Sequence, residues 1–424
     1  MTISENVKLM KAKTPYLAAS KEEARNAALL NAVWGLKAEK EEIFKANKKD
    51  LENAEQSGVT EAVKKRLKFD EHKLSDVIAG IEMLIKLQDP LGRVTLKREL
   101  DTDLTLTRIT CPIGVIGVIF EARPDALVQI SSLCIKSGNA AILKGGKETR
   151  ETNRVLFNIM SKAAAGAGLP AETLLLCESH SEIDELLKCD RYVDLLIPRG
   201  SNAFVQYIMN NTKIPVMGHA DGICHIYVDK AADFDKAIRV ITDAKTQYTA
   251  ACNAVETLLI NKEIKDGFLP KLYEAMKAAK VTLKGTKEVS DVIGCETIEE
   301  SDFKEYLDLT ASVKTVKDVN EAIDFINAHG SHHTDCIITE DDGAAELFFE
   351  MTDSAGVYRN CSTRFADGFR YGFGAEVGIS TGKIHARGPV GLEGLVTYKY
   401  RLVGNGNIVA DYAEGRKNFT HKDV

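Results

Sequence analysis

The sequence lacks the excess of positive charge that nucleic-acid-binding proteins carry. Its 424 residues have a formal net charge of -7 at pH 7, which gives no basic footprint for DNA or RNA. A local cationic pocket for an acidic small molecule is compatible with that balance. Long apolar runs are absent too: residues 114–120 are far too few to span a bilayer, and residues 1–16 lack the apolar core of a secretory signal. We expect no nucleic-acid partner and no membrane partner.

Paired cysteines are also missing. The nine cysteines are an odd number, none forms a C-x-x-C pair, and no group of Cys and His residues has the spacing of a zinc site. This usage indicates free thiols in a reducing compartment, so we expect a cytoplasmic protein without a metal. Side chains of the adjacent His332 and His333 would diverge on a helix or strand, and we expect both at the surface.

The G-x-G-x-x-G fingerprint of standard dinucleotide-binding domains is absent, although strands and helices alternate as such domains require. This alternation, over residues 113–209, predicts a parallel sheet with helices on both faces, whose ligands gather at the carboxyl ends of strands. Two strand ends have the character of phosphate sites. Lys144 and Lys147 flank two glycines, and Gly200 and Ser201 precede a helix. The alternative for each is an ordinary turn.

The chain opens with helical patterns and then changes to a candidate arm. Residues 21–56 and 63–88 place apolar side chains at helical spacing and contain no cluster of nucleophiles, so we interpret them as packing elements. Residues 93–112 include an alternation of apolar and polar side chains that residues 395–403 repeat. Such strands are typical of an arm that pairs with another subunit, and a surface hairpin is the alternative.

Cys252 is the candidate nucleophile. It lies between small residues, and the apolar, β-branched residues 255–260 that follow predict a buried strand. The thiol would then lie on a turn that a rigid scaffold holds. A thiolate is a strong nucleophile and a good acyl carrier. The alternative is a buried structural cysteine.

A second alternation of helices and strands, over residues 262–359, predicts a second α/β domain. Residues 362–388 are then rich in glycine and in cationic side chains, which is typical of a binding loop. Arg364 and Arg387 are candidates for contacts with an anionic substrate, and His385 is a candidate donor or acid.

Five segments of the sequence resemble the aldehyde dehydrogenase superfamily, most closely its branch of reductases that act on an acyl phosphate of glutamate. They are VIFEARPD at 118–125, KSGNAAILKGGKE at 136–148, CNAVETLL at 252–259, NCSTRF at 360–365 and HARGP at 385–389. The resemblance implies an α/β fold with two Rossmann-like parallel-sheet domains plus a β-arm for oligomerisation. The implied domains are a cofactor-binding domain at 1–245, a catalytic domain at 246–390, and an arm formed by 93–112 with 391–424.

The implied reaction is reduction of L-glutamyl 5-phosphate by NADPH to L-glutamate 5-semialdehyde and phosphate, the second step of proline biosynthesis from glutamate. The resemblance makes Cys252 the nucleophile that attacks the acyl phosphate and carries a thioester until hydride arrives. Hydrolytic relatives have a glutamate base in a segment where this chain has His219. Loss of that base suits a thioester that must not meet an activated water, although Asp221 leaves a carboxylate nearby in sequence.

Cofactor and substrate contacts also follow from the resemblance. NAD-preferring relatives carry an acidic residue where this chain has Lys147, and an ammonium there favours the 2′-phosphate of NADPH, with Lys144 near the ribose. Glu305 resembles the glutamate that binds the nicotinamide ribose; the alternative is a solvated helix charge. Arg123 takes the region of an oxyanion-binding asparagine and can grip a phosphate or carboxylate, as can the loop arginines. A salt bridge is the alternative for each arginine.

Two other functions compete with this one. The first is a dehydrogenase that passes its acyl group to coenzyme A. The second is a non-catalytic subunit that docks the kinase making the acyl phosphate, and an intact Cys252 argues against it because a scaffold has no use for a placed nucleophile. We expect a small-molecule substrate, functional coupling to glutamate 5-kinase, and a homo-oligomer, either a dimer or a tetramer.

Overall fold

The computed structural model describes residues 2–179, 181–219 and 221–424, with the backbone alone at residues 61 and 62. Contacts divide the chain into two compact units. The first unit comprises Met1–Met217, Phe373–Gly378 and Val390–Val424, and the second comprises Gly218–Gly372 and Ile379–Pro389. Within the described ranges, no helix is long and apolar enough to cross a membrane.

The first unit opens with five helices. They are α1 (Ile3–Ala18), α2 (Glu22–Ala38), α3 (Lys40–Gln56), α4 (Glu61–Leu67) and α5 (Glu71–Lys86). The sequence predicted one helix over 21–56, and the structure divides it at Glu39 into α2 and α3. Helix α1 was not predicted; a capping box between Thr2 and Glu5 fixes its start.

A four-stranded parallel sheet forms the core of the first unit. After the hairpin β1 (Val94–Asp101) and β2 (Leu104–Pro112), the elements are β3 (Val115–Phe120), α6 (Pro124–Lys136), β4 (Ala140–Lys144), α7 (Arg150–Gly166), β5 (Leu174–Cys177), α8 (Ser181–Leu186), β6 (Leu195–Arg199) and α9 (Asn202–Asn210). The strand order is β5-β4-β3-β6, with every pair parallel. Strands β3 and β4 are completely buried, which matches their continuous apolar sequences.

The second unit is built on a seven-stranded parallel sheet. Its elements are β7 (Cys224–Val228), α10 (Phe234–Thr246), β8 (Val255–Asn261), α11 (Lys265–Ala278), β9 (Thr282–Gly285), α12 (Lys287–Ile293), β10 (Glu296–Thr297), β11 (Thr310–Val316), α13 (Val319–His329), β12 (Thr334–Ile338), α14 (Asp342–Met351) and β13 (Gly356–Arg359). The strand order is β10-β9-β11-β8-β7-β12-β13. The predicted α/β class with two parallel sheets is confirmed.

Residues 218–245 differ from the predicted division of the chain. The sequence placed them in the first domain, but β7 pairs with both β8 and β12, so these residues belong to the second compact unit. Neither β7 nor α10 was predicted. The two short strands β14 (Gly378–Ser380) and β15 (Gly388–Val390) pair with each other at the points where the chain passes from one unit to the other.

A separate antiparallel sheet comprises the hairpin of β1 and β2 together with β16 (Val396–Val403) and β17 (Lys422–Asp423), in the order β16-β2-β1-β17; the short helix α15 (Val409–Ala413) lies between the last two strands in sequence. Strand β16 pairs with β2 along its whole length, from Val396 opposite Pro112 to Val403 opposite Thr105. Beyond its first residue β16 is exposed, including Tyr398, Tyr400 and Leu402. The predicted pairing of the two arm segments is therefore present, and their role in oligomerisation stays a prediction.

Candidate active site

Cys252 lies on the turn that leads into β8, as predicted. Cys252 is half-buried. The side chain and the backbone carbonyl of its neighbour Asn253 both form hydrogen bonds that anchor the turn. Asn253 Nδ2 donates to the carbonyl of Ala366 at 2.7 Å, and Thr363 Oγ1 donates to the carbonyl of Asn253 at 2.7 Å. These bonds tie the turn to the segment after β13, so the position of the sulfur is set by the scaffold.

The backbone at Gly222 packs directly against this turn. A Cβ at Gly222 would lie 2.3 Å from the Cys252 carbonyl oxygen, 2.5 Å from its Cα and 2.6 Å from its Cβ. Real Cβ atoms do not approach other atoms so closely. The backbone before β7 therefore contacts Cys252 directly, and only glycine fits there.

His333 is the closest ionisable partner of the thiol among the described contacts. It is completely buried directly before β12, and its Nε2 lies 3.2 Å from Cys252 Sγ. Its Nδ1 lies 3.0 Å from Thr334 Oγ1. The prediction that His333 is a surface residue is wrong. His333 directly precedes β12, and because β12 pairs with β7, His333 lies in the interior beside β8. His332 is half-buried, with Nδ1 2.6 Å from the Asp353 carbonyl.

His219 completes a cluster around the sulfur. Its ring is edge-on to that of His333, with centroids 4.9 Å apart, and its Nδ1 lies 2.9 Å from the Ile379 carbonyl. One donor atom from each of His219, Cys252 and His333 lies within 4.8 Å of the other two. The position that the resemblance assigned to a lost glutamate base thus lies beside the thiol. The next residue, Ala220, lies outside the described residues.

The topology of the sheet explains this convergence. Strands β8, β7 and β12 are consecutive neighbours and parallel, so the turns before them meet at one edge. Cys252 and His333 are 81 residues apart in sequence, yet Cys252 lies three residues before β8 and His333 lies directly before β12. Ligand-binding residues were expected at the carboxyl ends of strands, and His333 lies at an amino end, so it was not predicted. The sequence signal that could have indicated the cluster was a Cys or His residue shortly before each of three apolar stretches.

Arg364 lies close to this cluster. Its side chain is largely buried, Nε donates to Gln247 Oε1 at 3.0 Å, and the guanidinium lies 5.8 Å from the centre of the Tyr248 ring. Burial lowers the pKa of Arg364, the positive charge of Arg370 lowers it further, and the charge of ionised Cys252 opposes both. The charge of Arg364, a predicted anion contact, therefore interacts with the ionised thiol.

A buried ion pair supports the strand that follows Cys252. Lys245 on α10 and Glu256 on β8 are fully buried, with Nζ and Oε2 2.6 Å apart. Burial raises the pKa of Glu256 to about 7, against the lowering effect of Lys245. The backbone N–H of Leu307 donates to Glu256 Oε1 at 3.4 Å. Glu256 therefore fastens the loop that carries Glu305, which is half-buried and lies outside any helix.

The remaining loop candidates of the second unit differ from Arg364. Arg387 forms an ion pair with Asp353, Nη2 to Oδ1 at 3.0 Å, and Lys383 shares the same carboxylate at 2.7 Å. His385 is exposed and has a left-handed backbone, with φ 68°. Arg387 therefore forms a salt bridge in this structure, which was the alternative to a contact with an anionic substrate.

The first unit holds the predicted cofactor lysines at the carboxyl end of β4. Lys144 is buried, its Nζ donates to the Gly145 carbonyl at 2.6 Å, and burial lowers its pKa; Lys147 is exposed at the start of a short 3₁₀ turn. A pocket beside them is lined by Gly145, Gly146, Arg150, Asn153, Leu176, Cys177 and Glu178. Asn153 Oδ1 is buried with no hydrogen-bond partner among the described residues, so it can accept from a nucleotide hydroxyl or amino group.

The second predicted phosphate site is already close to a carboxylate. Glu121 Oε2 accepts from the backbone N–H of Ser201 at 3.2 Å and would lie 2.6 Å from a Cβ at Gly200. A phosphate at the start of α9 requires that Glu121 turn away. Arg123 is exposed just before α6, in the same unit as Glu121.

Comparisons with known proteins agree on one family. The aldehyde dehydrogenase family profile matches residues 2–308. Gamma-glutamyl phosphate reductase of Acetivibrio thermocellus is 55% identical over 425 aligned residues, covering 100% of this chain and 99% of the relative.

Solved structures give the same result. The crystal structure of gamma-glutamyl phosphate reductase from Thermotoga maritima has a TM-score of 0.93 at 35% identity, covering 96% of this chain and 100% of that one. The structure of gamma-glutamyl phosphate reductase from Saccharomyces cerevisiae has a TM-score of 0.55 at 38% identity, covering 97% and 100%. With this identity along its whole length, the chain belongs to the aldehyde dehydrogenase family and, within it, to the gamma-glutamyl phosphate reductases.

Proposed function

We propose that this chain reduces L-glutamyl 5-phosphate to L-glutamate 5-semialdehyde and phosphate with NADPH, through a thioester on Cys252, as the second step of proline biosynthesis from glutamate. The oxidoreductase class follows from the family. The thioester route is supported by one observation above all: the Cys252 thiol is held on a fixed turn with a buried imidazole nitrogen 3.2 Å from its sulfur.

The first half of the reaction uses the sulfur and the imidazole. Cys252 Sγ forms a bond to the acyl carbon and the bond from that carbon to the phosphate oxygen breaks. The thiol proton passes to His333 Nε2, which returns it to the departing phosphate. Because Thr334 Oγ1 holds Nδ1 at 3.0 Å, the ring keeps the orientation that both transfers need.

The second half converts the thioester to the aldehyde. The hydride that reduces the thioester carbonyl would come from a reduced nicotinamide cofactor held by the residues assigned below. The carbon–sulfur bond of the resulting thiohemiacetal then breaks, the aldehyde leaves, and Cys252 Sγ regains a proton from solvent. No carboxylate takes the place of the family base at His219, which protects the thioester from water while it waits.

The cofactor assignment depends on the first unit. The pocket beside β4 and the unpartnered Asn153 Oδ1 suit the adenosine half of a dinucleotide. The exposed Lys147 can reach a 2′-phosphate, and the carboxylate of the neighbouring Glu148 is held by the Ala122 N–H, from which its Oε1 accepts at 2.8 Å. We assign Lys147 to the 2′-phosphate, Lys144 to the ribose, Gly200 and Ser201 to the pyrophosphate, and Glu305 to the nicotinamide ribose.

Among the substrate candidates, Arg364 has the strongest support. It bonds to the neutral amide of Gln247 and its charge interacts with Cys252, whereas Arg387 is already paired with Asp353. We assign Arg364 to an anionic group of the substrate near the reacting carbon. Arg123, His385 and Arg387 are assigned to the remaining anionic groups.

The test is phosphate-dependent reduction of NADP by the purified protein with L-glutamate 5-semialdehyde. We expect activity that requires phosphate, and loss of that activity in Cys252→Ser. Cys295→Ser is the matched control, because Cys295 is also half-buried in the second unit but follows α12. Activity with coenzyme A in place of phosphate would favour the acylating alternative. Inactivity of the native protein, with binding of the kinase in a pull-down, would favour the docking subunit.

We further propose a cytoplasmic homo-oligomer that couples to glutamate 5-kinase. The nine cysteines are all free thiols, as a reducing compartment requires. The exposed strand β16 presents Tyr398, Tyr400 and Leu402 along a sheet edge suited to pairing with a second copy. Analytical ultracentrifugation should give a dimer or tetramer for the native protein and smaller species for Tyr400→Asp. An unchanged assembly in that variant would contradict the arm assignment.

A further inference from the structure

The cluster of His219, Cys252 and His333 has the composition of a metal site. Zinc prefers cysteine sulfur and histidine nitrogen, and a site with three protein ligands leaves the fourth position to water or another ligand. The three donor atoms already lie within 4.8 Å of one another. Their separation along the chain is the reason that no zinc spacing appears in the sequence.

Each imidazole has an oxygen atom close to its Nδ1. His219 Nδ1 lies 2.9 Å from the Ile379 carbonyl, an acceptor, so Nδ1 carries the proton and the lone pair lies on Nε2. His333 Nδ1 lies 3.0 Å from Thr334 Oγ1, and Nε2 faces the thiol at 3.2 Å. An oxygen partner on the far nitrogen is the usual arrangement that fixes a zinc-binding imidazole.

The distances nearly suffice for coordination. Bonds of about 2.0 Å to nitrogen and about 2.3 Å to sulfur at tetrahedral angles require donor separations of about 3.3 Å between nitrogens and about 3.5 Å between nitrogen and sulfur. The sulfur–nitrogen distance of 3.2 Å to His333 is already close to that value. Since no donor pair exceeds 4.8 Å, a movement of about 1 Å within the cluster completes the geometry.

We propose that His219, Cys252 and His333 form a binding site for Zn²⁺, with the fourth position open, and that bound zinc reversibly blocks the Cys252 sulfur. Binding displaces the thiol proton to solvent and leaves a zinc–thiolate bond in place of the nucleophile. The binding site stands by itself, whereas its effect on turnover rests on the proposed function.

The test is a titration of the chelator-treated full chain with zinc sulfate in competition with a chromogenic chelator. We expect one tight equivalent per chain, weakened by about tenfold or more in Cys252→Ser, His219→Gln and His333→Gln. His72→Gln is the control, since its side chain is 83% exposed in the first unit, and it should bind as the native protein does. Cobalt substitution should give a sulfur-to-cobalt absorption band in the native protein and none in Cys252→Ser.

Two further results separate this inference from the catalytic one. If Cys252→Ser binds zinc as tightly as the native protein, or if both histidine variants do, the site is not the one described. If zinc binds as expected but saturating zinc leaves turnover unchanged, the site stands and the catalytic role of Cys252 fails. If zinc does not bind while Cys252→Ser is inactive, the zinc site fails and the proposed function stands. Circular dichroism of each variant controls for misfolding.

Discussion

Gly222→Ala tests how tightly the scaffold sets the position of the nucleophile. The added methyl would lie 2.3–2.6 Å from the carbonyl oxygen, Cα and Cβ of Cys252, where ordinary contacts are 3.4–4 Å. Two of these atoms belong to the backbone, so neither can rotate away. Relief of the overlap requires that Cys252 and Gly222 separate by about 1 Å.

A displacement of that size has a large expected effect on turnover. Misplacement of a reacting group by about 1 Å can cost about 10²-fold in rate, and we expect a fall of that order in kcat. Overpacking typically costs about 1–3 kcal/mol of stability, so the variant should remain folded at 25 °C. The thiol should also react with iodoacetamide at a changed rate, because its distance from His333 changes with it.

Gly267→Ala is the matched control. Gly267 lies in α11 of the same unit, and the nearest atom to its added Cβ is Phe234 Cε2 at 3.6 Å, an ordinary contact. Its kcat and alkylation rate should equal those of the native protein. Thermal unfolding curves show whether both variants are folded. A folded Gly222→Ala variant with native kcat and native alkylation would refute the claim that this glycine sets the position of Cys252.

Three other outcomes follow from the structure. In Lys147→Glu, KM for NADPH should rise at least about tenfold while KM for NADH changes little, because a carboxylate repels the 2′-phosphate; equal changes would overturn the assignment. In His333→Gln, kcat should fall about 10²-fold or more, with slower alkylation of Cys252 at pH 7, and native values would remove His333 from the proton transfers. In Lys245→Met, urea unfolding at pH 8 should show a loss of about 3–5 kcal/mol, because Glu256 is left as an unpaired buried charge. Burial raises the pKa of Glu256 from 4.5 to about 7. The free energy that protonation of Glu256 contributes to folding is therefore fully present below pH 4.5 and is lost as pH rises through 7. The destabilisation caused by Lys245→Met should accordingly be smaller at pH 5 than at pH 8.

Local patterns were sufficient to predict two of the three strands that carry the site, β8 and β12. The apolar run after Cys252 is the buried strand β8, and the prediction of a turn at the thiol holds in the structure. The predicted bounds of β4 match those observed, because its five-residue, mostly apolar run has the length of a strand and is bounded by Gly138 and Gly145. Periodicity also gave the second α/β unit, although three of its elements, β9, α12 and β10, were not predicted.

Local sequence patterns could not predict which strands are neighbours in the sheet. Sequence shows that a strand follows His333, but not that β12 lies beside β7 rather than beside β11, which precedes it along the chain. That choice places His333 against the sulfur and not at the surface. It also explains why residues 218–245 joined the second unit, since the unpredicted β7 lies between β8 and β12.

The central claim is that Cys252 carries the acyl group, and a phosphate-free burst experiment tests it most directly. With L-glutamate 5-semialdehyde and NADP but no phosphate, the enzyme should form about one equivalent of NADPH per chain and then slow sharply, because the thioester has no acceptor and no carboxylate base to hydrolyse it. Mass spectrometry of the acid-quenched protein should find a glutamyl group on the peptide containing Cys252, and added phosphate should restore turnover. Steady NADPH formation without phosphate, or a burst of equal size in Cys252→Ser, would contradict the account.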